Sequence, residues 1–428
     1  MPTLAAASPE QLQAALARGP ASALELAAAL QISVRGTTTT LPLYAVDVDG
    51  QGSALAHLSP VRPEGSSMEL AGTDWAMPED ARDGWWDGLP YPLHQMRPQG
   101  YMGRQFAQAQ AAALGVPANP LAWSDDDVLV VLSQRGVDLS GNLILGDAAC
   151  EQWLASRAQP LVPLAPRTLG ARYLQLAEQA VAAGVAGSSA GGEFPKFTAQ
   201  RALADSATPH VLVKFSGTES SAAVRRWSDL LVCEHLAAVH AEAMPGIASA
   251  RTRILIHGGR TFLEVERFDR HGEAGRSPLC ALDILNATFL GDTAMDWPHL
   301  VGRLAMLNLV SDDDLLRVQR LWWFGRLIAN TDMHTGNLSF RAEGGRFALA
   351  PMYDMLPMRY APLGGGEVAE RSFEPTLPLP PQRAVWREAC AAAIAFWRAA
   401  SGDARIGDGF RAVAARNADA LARLQDKA

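Results

Sequence analysis

A chain of 428 residues, 48% hydrophobic and 19% charged, is long enough for two or three cored domains and too apolar to be disordered. Its formal net charge of -8 argues against a broad nucleic-acid surface, which is normally basic, and leaves room only for a local basic groove. Cys150, Cys233, Cys280 and Cys390 form no C-x-x-C pair, so neither a zinc site nor a disulfide framework is expected, and a reducing cytoplasmic setting is.

The N-terminus, MPTLAAASPEQLQ, has neither a basic start nor a long apolar core, so it does not read as a secretory leader. No window offers about twenty uninterrupted apolar residues, so no membrane helix is expected. Ser8-Pro9-Glu10-Gln11 has the pattern of a helix start, and Ser22 to Glu25 repeats it. Two short helices in succession are how a helix-turn-helix begins. The third, recognition helix is missing, because Gly36 and a run of threonines follow where it should start. Residues 1–60 carry only Arg18 and Arg35 as cations, so residues 1–40 read as a truncated helix-turn-helix-like segment with weak or no DNA binding. A nanomolar electrophoretic shift at physiological salt would overturn that expectation.

Strands are expected over 41–48 and 53–58, around an Asp-Gly-Gln-Gly turn. Residues 60–100, rich in Pro, Gly and Trp, read as irregular surface. Helices are expected near 104–113, 125–135 and 147–157, and a linker over 160–170. A helix over 173–183 precedes the Gly-rich stretch AGSSAGGEFPKF. Strands 210–216, 252–257 and 261–266 surround a long helical stretch, 219–240. From 277 onward the chain reads as mainly helical, broken by a hairpin over 337–350.

The chain uses three lysines, at 196, 214 and 427, against thirty-four arginines. Lysine and arginine are not interchangeable where a compact charge must fit beside a phosphate. Lys196 closes the Gly-rich loop, whose glycines would let backbone N–H groups approach phosphate oxygens. Lys214 ends the apolar strand HVLVKF and needs a counter-charge, and Glu234 on the following helix is a candidate partner. Asp332 and Asn337, in NTDMHTGN, stand five apart, the interval that kinase catalytic loops use for base and metal ligand. Asp354, in MYDMLP, lies seventeen residues further on. Two oxygen ligands on neighbouring loops suit Mg²⁺, which binds few protein groups and keeps waters and phosphates. Each feature has a bland alternative: a solvated strand edge for Lys214, a helix cap for the NTD run, a turn cap for Asp354. His334 has no second histidine at ligand spacing, so a transition-metal site is disfavoured. Together the four features follow the order that phosphoryl transfer needs.

These stretches, SAGGEFPKF, LVKFS, VERFDR, NTDMHTGNLSF and MYDMLP, resemble the HipA family of serine/threonine kinases, toxins of bacterial toxin–antitoxin modules. RPQGYMGRQFA and the N-terminal helix pair resemble its YjjJ branch. The resemblance implies an α+β, protein-kinase-like fold: residues 41–160 a small mixed α/β subdomain, 161–270 a kinase N-lobe, 271–428 a helical C-lobe. It implies ATP and Mg²⁺ as cofactors. Asp332 takes the place of the catalytic base, and Asn337 and Asp354 those of the metal ligands. By the resemblance, Gly191, Gly192, Glu193, Phe194, Pro195, Lys196, Lys214, His334 and Tyr353 are expected to line the nucleotide, and Glu266, Arg267 and Phe268 to match the hinge segment that holds adenine. By the resemblance, Ser189 falls where the family carries a regulatory autophosphorylated serine, with its neighbour Ser188 left open as the alternative. A phosphate there, beside Lys196, would force the loop to rearrange. Phe194 departs from the family, where that position is usually polar. The implied partners are a HipB-like antitoxin and a protein substrate such as a translation factor or an aminoacyl-tRNA synthetase. The residues themselves leave open two rivals, a nucleotide-binding pseudokinase and a small-molecule phosphotransferase.

Overall fold

The computed structural model describes residues 40–61, 65–182 and 194–425. The expected N-terminal helix pair, Ser188, Ser189, Gly191, Gly192 and Glu193 lie outside the described residues. The chain divides into two compact units. The first takes the described residues up to Val162 together with Asp269–Cys280 and Ala342–Arg346; the second takes Pro163–Phe268, Ala281–Arg341 and the described residues from Phe347 on. Among the described residues no helix is long and apolar enough to cross a membrane.

The first unit is built on β1 (Leu41–Val46), β2 (Gly52–Val61), β3 (Gly65–Ser67), β4 (Trp85–Trp86) and β5 (Leu143–Leu145), in the order β4-β3-β2-β1-β5. Leu41 and Leu43 alternate along β1 and are fully buried, as is Leu58 opposite Leu41, so one face of the pair is core. Four helices follow in sequence: α1 (Tyr91–Met96), α2 (Gly100–Leu114), α3 (Asp125–Arg135) and α4 (Asp147–Ala158). Ser124 and Asp127 form a reciprocal capping box that starts α3. Gly115, left-handed at φ 66°, ends α2.

The expectation of irregular surface over 60–100 is corrected. Trp75, Trp86, Tyr91 and Leu93 are buried there, and β3, β4 and α1 fall within it. Trp86 Nε1 donates to Met68 O at 2.8 Å, and the Tyr91 hydroxyl to Ala76 O at 2.9 Å. The aromatic rings supply the buried area, and hydrogen bonds to carbonyls satisfy their polar tips. Such a core has no period, so pattern reading passes over it.

Residues 269–280 supply the first unit with a buried polar knot. Asp269 accepts from Gly141 N at 2.8 Å and pairs with Arg270, which also donates to Asp138, Leu139 O and Gly141 O. Nearby, Arg276 N donates to Asp47 O at 2.8 Å. The chain runs so close that a Cβ on Gly275 would collide with the Val48 carbonyl. Gly275→Ala is therefore expected to cost about 2–3 kcal/mol, read as a lower midpoint in a urea titration. An unchanged midpoint would show that this backbone contact yields freely.

In the second unit, β6 (Lys196–Gln200), β7 (His210–Phe215), β8 (Thr252–His257) and β9 (Arg260–Glu266) form an antiparallel sheet in the order β6-β7-β9-β8. One face carries Phe197, Val211, Val213, Phe215 and Phe262 and is covered by α5 (Leu169–Ala182) through Leu169, Tyr173, Ala177 and Ala180. The other face meets α6 (Ala222–Ala241). The helices α7 (Leu282–Phe289), α8 (Trp297–Met306), α9 (Asp312–Leu327), α10 (Arg383–Gly402) and α11 (Asp408–Gln425) complete the unit. Trp386, Trp397, Phe396, Phe324 and Phe410 are buried among them.

Two expectations are revised here. The loop carrying Lys196 gives way to strand β6 at that residue. The mainly helical stretch after 277 contains an irregular run over 361–382, apart from one short turn at Pro380–Gln382. Five prolines and three consecutive glycines within that run remove helix donors and raise the entropy cost of ordering it.

Candidate active site

Strand register puts the two internal lysines side by side. Lys196 pairs with Lys214 across β6 and β7, and Lys214 pairs with Leu263 on β9. Side chains of directly opposed residues share a face of the sheet. For Lys214 this is the face toward α6, opposite the aromatic cluster under α5. Two ammonium groups on one face need negative charge nearby.

Part of that charge comes from the chain itself. Lys214 Nζ donates to both carboxylate oxygens of Glu234, at 2.7 and 2.9 Å, and to Asp354 Oδ1 at 2.6 Å. Lys214 and Glu234 are both about 5% exposed, whereas the Asp354 side chain keeps 31% of its surface. Burial alone would push the Lys214 ammonium down, but Asp354 and Glu234 overcome it and hold the group above the ordinary lysine range. Burial likewise opposes ionisation of Asp354, yet Lys214, Lys196 and His334 hold its carboxyl below the usual range. Burial pushes Glu234 up to about 7 against the pull of Lys214, as fits two carboxylates sharing one ammonium.

Asp354 also stands on unusual backbone, with φ at 53°. Left-handed geometry is uncommon outside glycine and costs energy that the surroundings must supply. Phe194, the residue that departs from the family, is buried. Its ring meets Trp227 of α6 edge-on at 4.8 Å and lies 5.9 Å from Lys214 Nζ. An aromatic here anchors the end of the Gly-rich stretch to α6.

The Asp332 loop is shaped by hydrogen bonds between side chains and its main chain. Asn330 Oδ1 accepts from Asp332 N at 3.0 Å, an Asx turn that the NTD triplet could have signalled. Asn337 Nδ2 donates to Asp332 O at 2.9 Å, which closes the five-residue interval and leaves its Oδ1 as the acceptor. His334 Nδ1 accepts from Gly336 N, and Trp297 Nε1 donates to His334 O at 3.2 Å. Trp297 is a support that sequence reading missed, and no local signal marks it. Asp332 itself is exposed.

Tyr353 joins this loop to the Asp354 turn. Its hydroxyl donates to Gly336 O at 2.7 Å and lies 2.8 Å from Ser339 Oγ, and its ring sits 5.6 Å from that of Phe268. Burial raises its phenol well above the ordinary value, so it stays a neutral donor. Lys196, Lys214, Phe194, His334, Asn337, Tyr353, Asp354 and Phe268 are thus linked by contacts or mutual electrostatics. Pro195 joins through its carbonyl, which accepts from Phe215 N.

Glu266 and Arg267 are drawn elsewhere. The Glu266 carboxylate pairs with Arg201 at 2.8 Å, and the N–H groups of Glu266 and Arg267 bond Arg251 O and His210 O. A cavity of about 720 Å³ lies on that side, lined by Arg201, Ser206, Glu242, Arg251, Glu264 and Glu266 among others. Neither Lys214 nor Asp354 borders it. Among the described residues no three His, Cys, Asp or Glu side chains cluster as a metal cage. The oxygens of Asn337 and Asp354 fit a hard cation that keeps several waters and phosphate oxygens, as Mg²⁺ does.

The comparisons with known proteins agree with this architecture. Residues 37–154 match the family model of the YjjJ-like toxin middle domain, and residues 188–416 that of the HipA-like C-terminal domain. The chain is 35% identical over 388 residues to Toxin YjjJ of Escherichia coli (strain K12), covering 90% of this chain and 85% of that protein. The structure resembles HipA of Shewanella oneidensis MR-1, solved with HipB and its operator DNA, at a TM-score of 0.54 and 13% identity. That likeness covers 90% of this chain and 97% of the other, and it shows the fold, α+β and protein-kinase-like. With both family models matched in chain order and a toxin relative aligned over nearly its whole length, the chain belongs to the HipA-like toxins, in their YjjJ-like branch.

Proposed function

We propose that the chain is an ATP- and Mg²⁺-dependent protein serine/threonine kinase acting as the toxin of a toxin–antitoxin pair. The observation that carries this reading is the Lys214 ammonium held between Glu234 and Asp354, one residue from the tyrosine that bonds the Asp332–Asn337 loop. Lys214 and Lys196 would hold phosphate oxygens, and Asn337 Oδ1 and Asp354 would hold the metal. Bound there, Mg²⁺ would neutralise charge on the phosphates. Asp332 would take the proton of the acceptor hydroxyl as its oxygen forms the new bond to phosphorus and ADP departs. Phe268 and Tyr353 offer aromatic surface for a base.

The acceptor is a protein hydroxyl, and family likeness points to a translation factor or an aminoacyl-tRNA synthetase. A HipB-like antitoxin is the proposed partner, and the cytoplasm the proposed location. A serine of the Gly-rich stretch, Ser189 or Ser188, is the proposed site of self-modification. The test is incubation with γ-labelled ATP and Mg²⁺, followed by mass spectrometry of the intact chain and its peptides. Label on one of those serines, abolished by a chelator, is the expected result. Nucleotide-dependent thermal stabilisation with no label on the chain or on an added hydroxyl acceptor would mark a binding module instead.

A further inference from the structure

The helix that carries Glu234 has a second polar face that phosphate transfer leaves unexplained. Arg226, Asp229 and Cys233 are spaced three and four apart along α6, so they share a side distinct from that of Trp227 and Glu234. Asp229 is 6% exposed. Its Oδ1 accepts from Gly407 N at 2.8 Å, at the residue whose carbonyl receives the N–H of Arg411 and so opens α11. Arg226 lies beside it, donating to Tyr360 O at 3.0 Å and placing its guanidinium 4.5 Å from the Phe410 ring. The Tyr360 hydroxyl is in turn bonded to Asn417 of α11.

A carboxylate at a helix N-terminus is favoured by the helix dipole and satisfies an otherwise orphaned donor. Ordinarily a cap belongs to its own helix. Here it comes from 178 residues away in sequence, on the helix that sets the position of Glu234 and hence of Lys214. Burial pushes the Asp229 carboxyl up to about 6, against the Gly407 amide and Arg226, so at neutral pH a charge is maintained where water is scarce. Asp403 and Arg225 also bear on this corner, and Cys233 is buried beside it. A group that only filled space would be cheaper as an apolar side chain.

We infer that Asp229 is a positioning residue: it moors α6 to the start of α11 and so fixes Glu234 and Lys214 in the geometry that phosphate transfer requires. The functional half of this inference rests on the kinase reading above, whereas the mooring itself does not.

Hydrogen exchange on the full chain without nucleotide tests the mooring directly. Asp229→Ala should speed exchange of the α6 amides about tenfold, the loss expected for a removed cap, with α8 and α9 unchanged. Asp229→Asn keeps an acceptor oxygen and should restore most of the protection. Gly407→Pro removes the donor N–H, its added Cβ coming only into ordinary van der Waals contact with the Asp229 carboxylate, and should loosen α6 as Asp229→Ala does without substituting any residue of α6. Exchange within twofold of wild type in both Asp229→Ala and Gly407→Pro would overturn the mooring. If wild type transfers phosphate, Asp229→Ala should raise the KM for ATP more than it lowers kcat, and Asp229→Asn should recover it. An unchanged KM with a loosened α6 would overturn the positioning role. Wild type inert toward ATP would count against the kinase reading and leave the exchange result standing.

Discussion

Asp332→Asn is expected to lower phosphate transfer by about 10²–10⁴-fold, the range for removing a general base, while nucleotide binding survives. The reason lies in how the loop is built. Its shape depends on Asp332 N bonding Asn330 and on Asp332 O receiving Asn337, both main-chain atoms that the substitution keeps. The variant should therefore melt at the wild-type temperature and show the same nucleotide-induced rise. Near-normal turnover would remove Asp332 from the mechanism. Loss of the nucleotide-induced rise as well would mean that the substitution had disturbed the phosphate site, and the base assignment would lose its support. Asn330→Ala provides a contrast: it leaves the carboxylate in place but frees Asp332 N from its partner. A reduced kcat with an intact base would then report on orientation alone.

What could be foreseen from the sequence depended on whether a feature leaves a local trace. The D-x-x-x-x-N interval is local, and the structure closes it with a single side-chain bond from Asn337 to Asp332. Lys214 stood out because an internal lysine in HVLVKF must find an anion, and the next helix offered Glu234 at a reachable position. Asp354 as a second partner of Lys214 was not foreseen. Their contact spans 140 residues and depends on a left-handed backbone that no sequence pattern announces. The alignment of Lys196 with Lys214 needed strand register, which hangs on where β6 begins after a glycine-rich run. The aromatic core within 60–100 was hidden for a related reason. Trp75, Trp86 and Tyr91 gather by turns rather than by period, and prolines and glycines around them mimic a loop. Composition likewise concealed Trp297, whose indole supports the His334 carbonyl from a helix that sequence alone only places nearby in the chain.

Lys214→Met is expected to be the most damaging single change in stability as well as in activity. It strips the ammonium from two carboxylates at once, and Glu234 is almost fully buried. Breaking a buried pair from one side costs about 3–5 kcal/mol, and the partial exposure of Asp354 puts the expected loss toward the lower end. The sign of the pH dependence follows from the same geometry. In the wild type Asp354 is held below its ordinary value, so its contribution to stability is present above the normal carboxylate range and fades as pH falls through the lowered one. In the variant the two carboxyls face each other without a cation, which raises both, so protonation relieves the repulsion. The stability gap between wild type and Lys214→Met should thus be widest at pH 8 and narrow steadily toward pH 5 in urea titrations. Adding Glu234→Gln should recover part of the loss, since the neutral amide removes one of the stranded charges. Lys214→Arg separates charge from shape: it keeps the cation, but the larger planar group must fit beside the Phe194 ring. It should retain more stability than Lys214→Met while transferring phosphate no better. A gap that stays constant from pH 8 to pH 5, or a Lys214→Met variant as stable as wild type, would mean that the ammonium is not what holds Glu234 and Asp354 together.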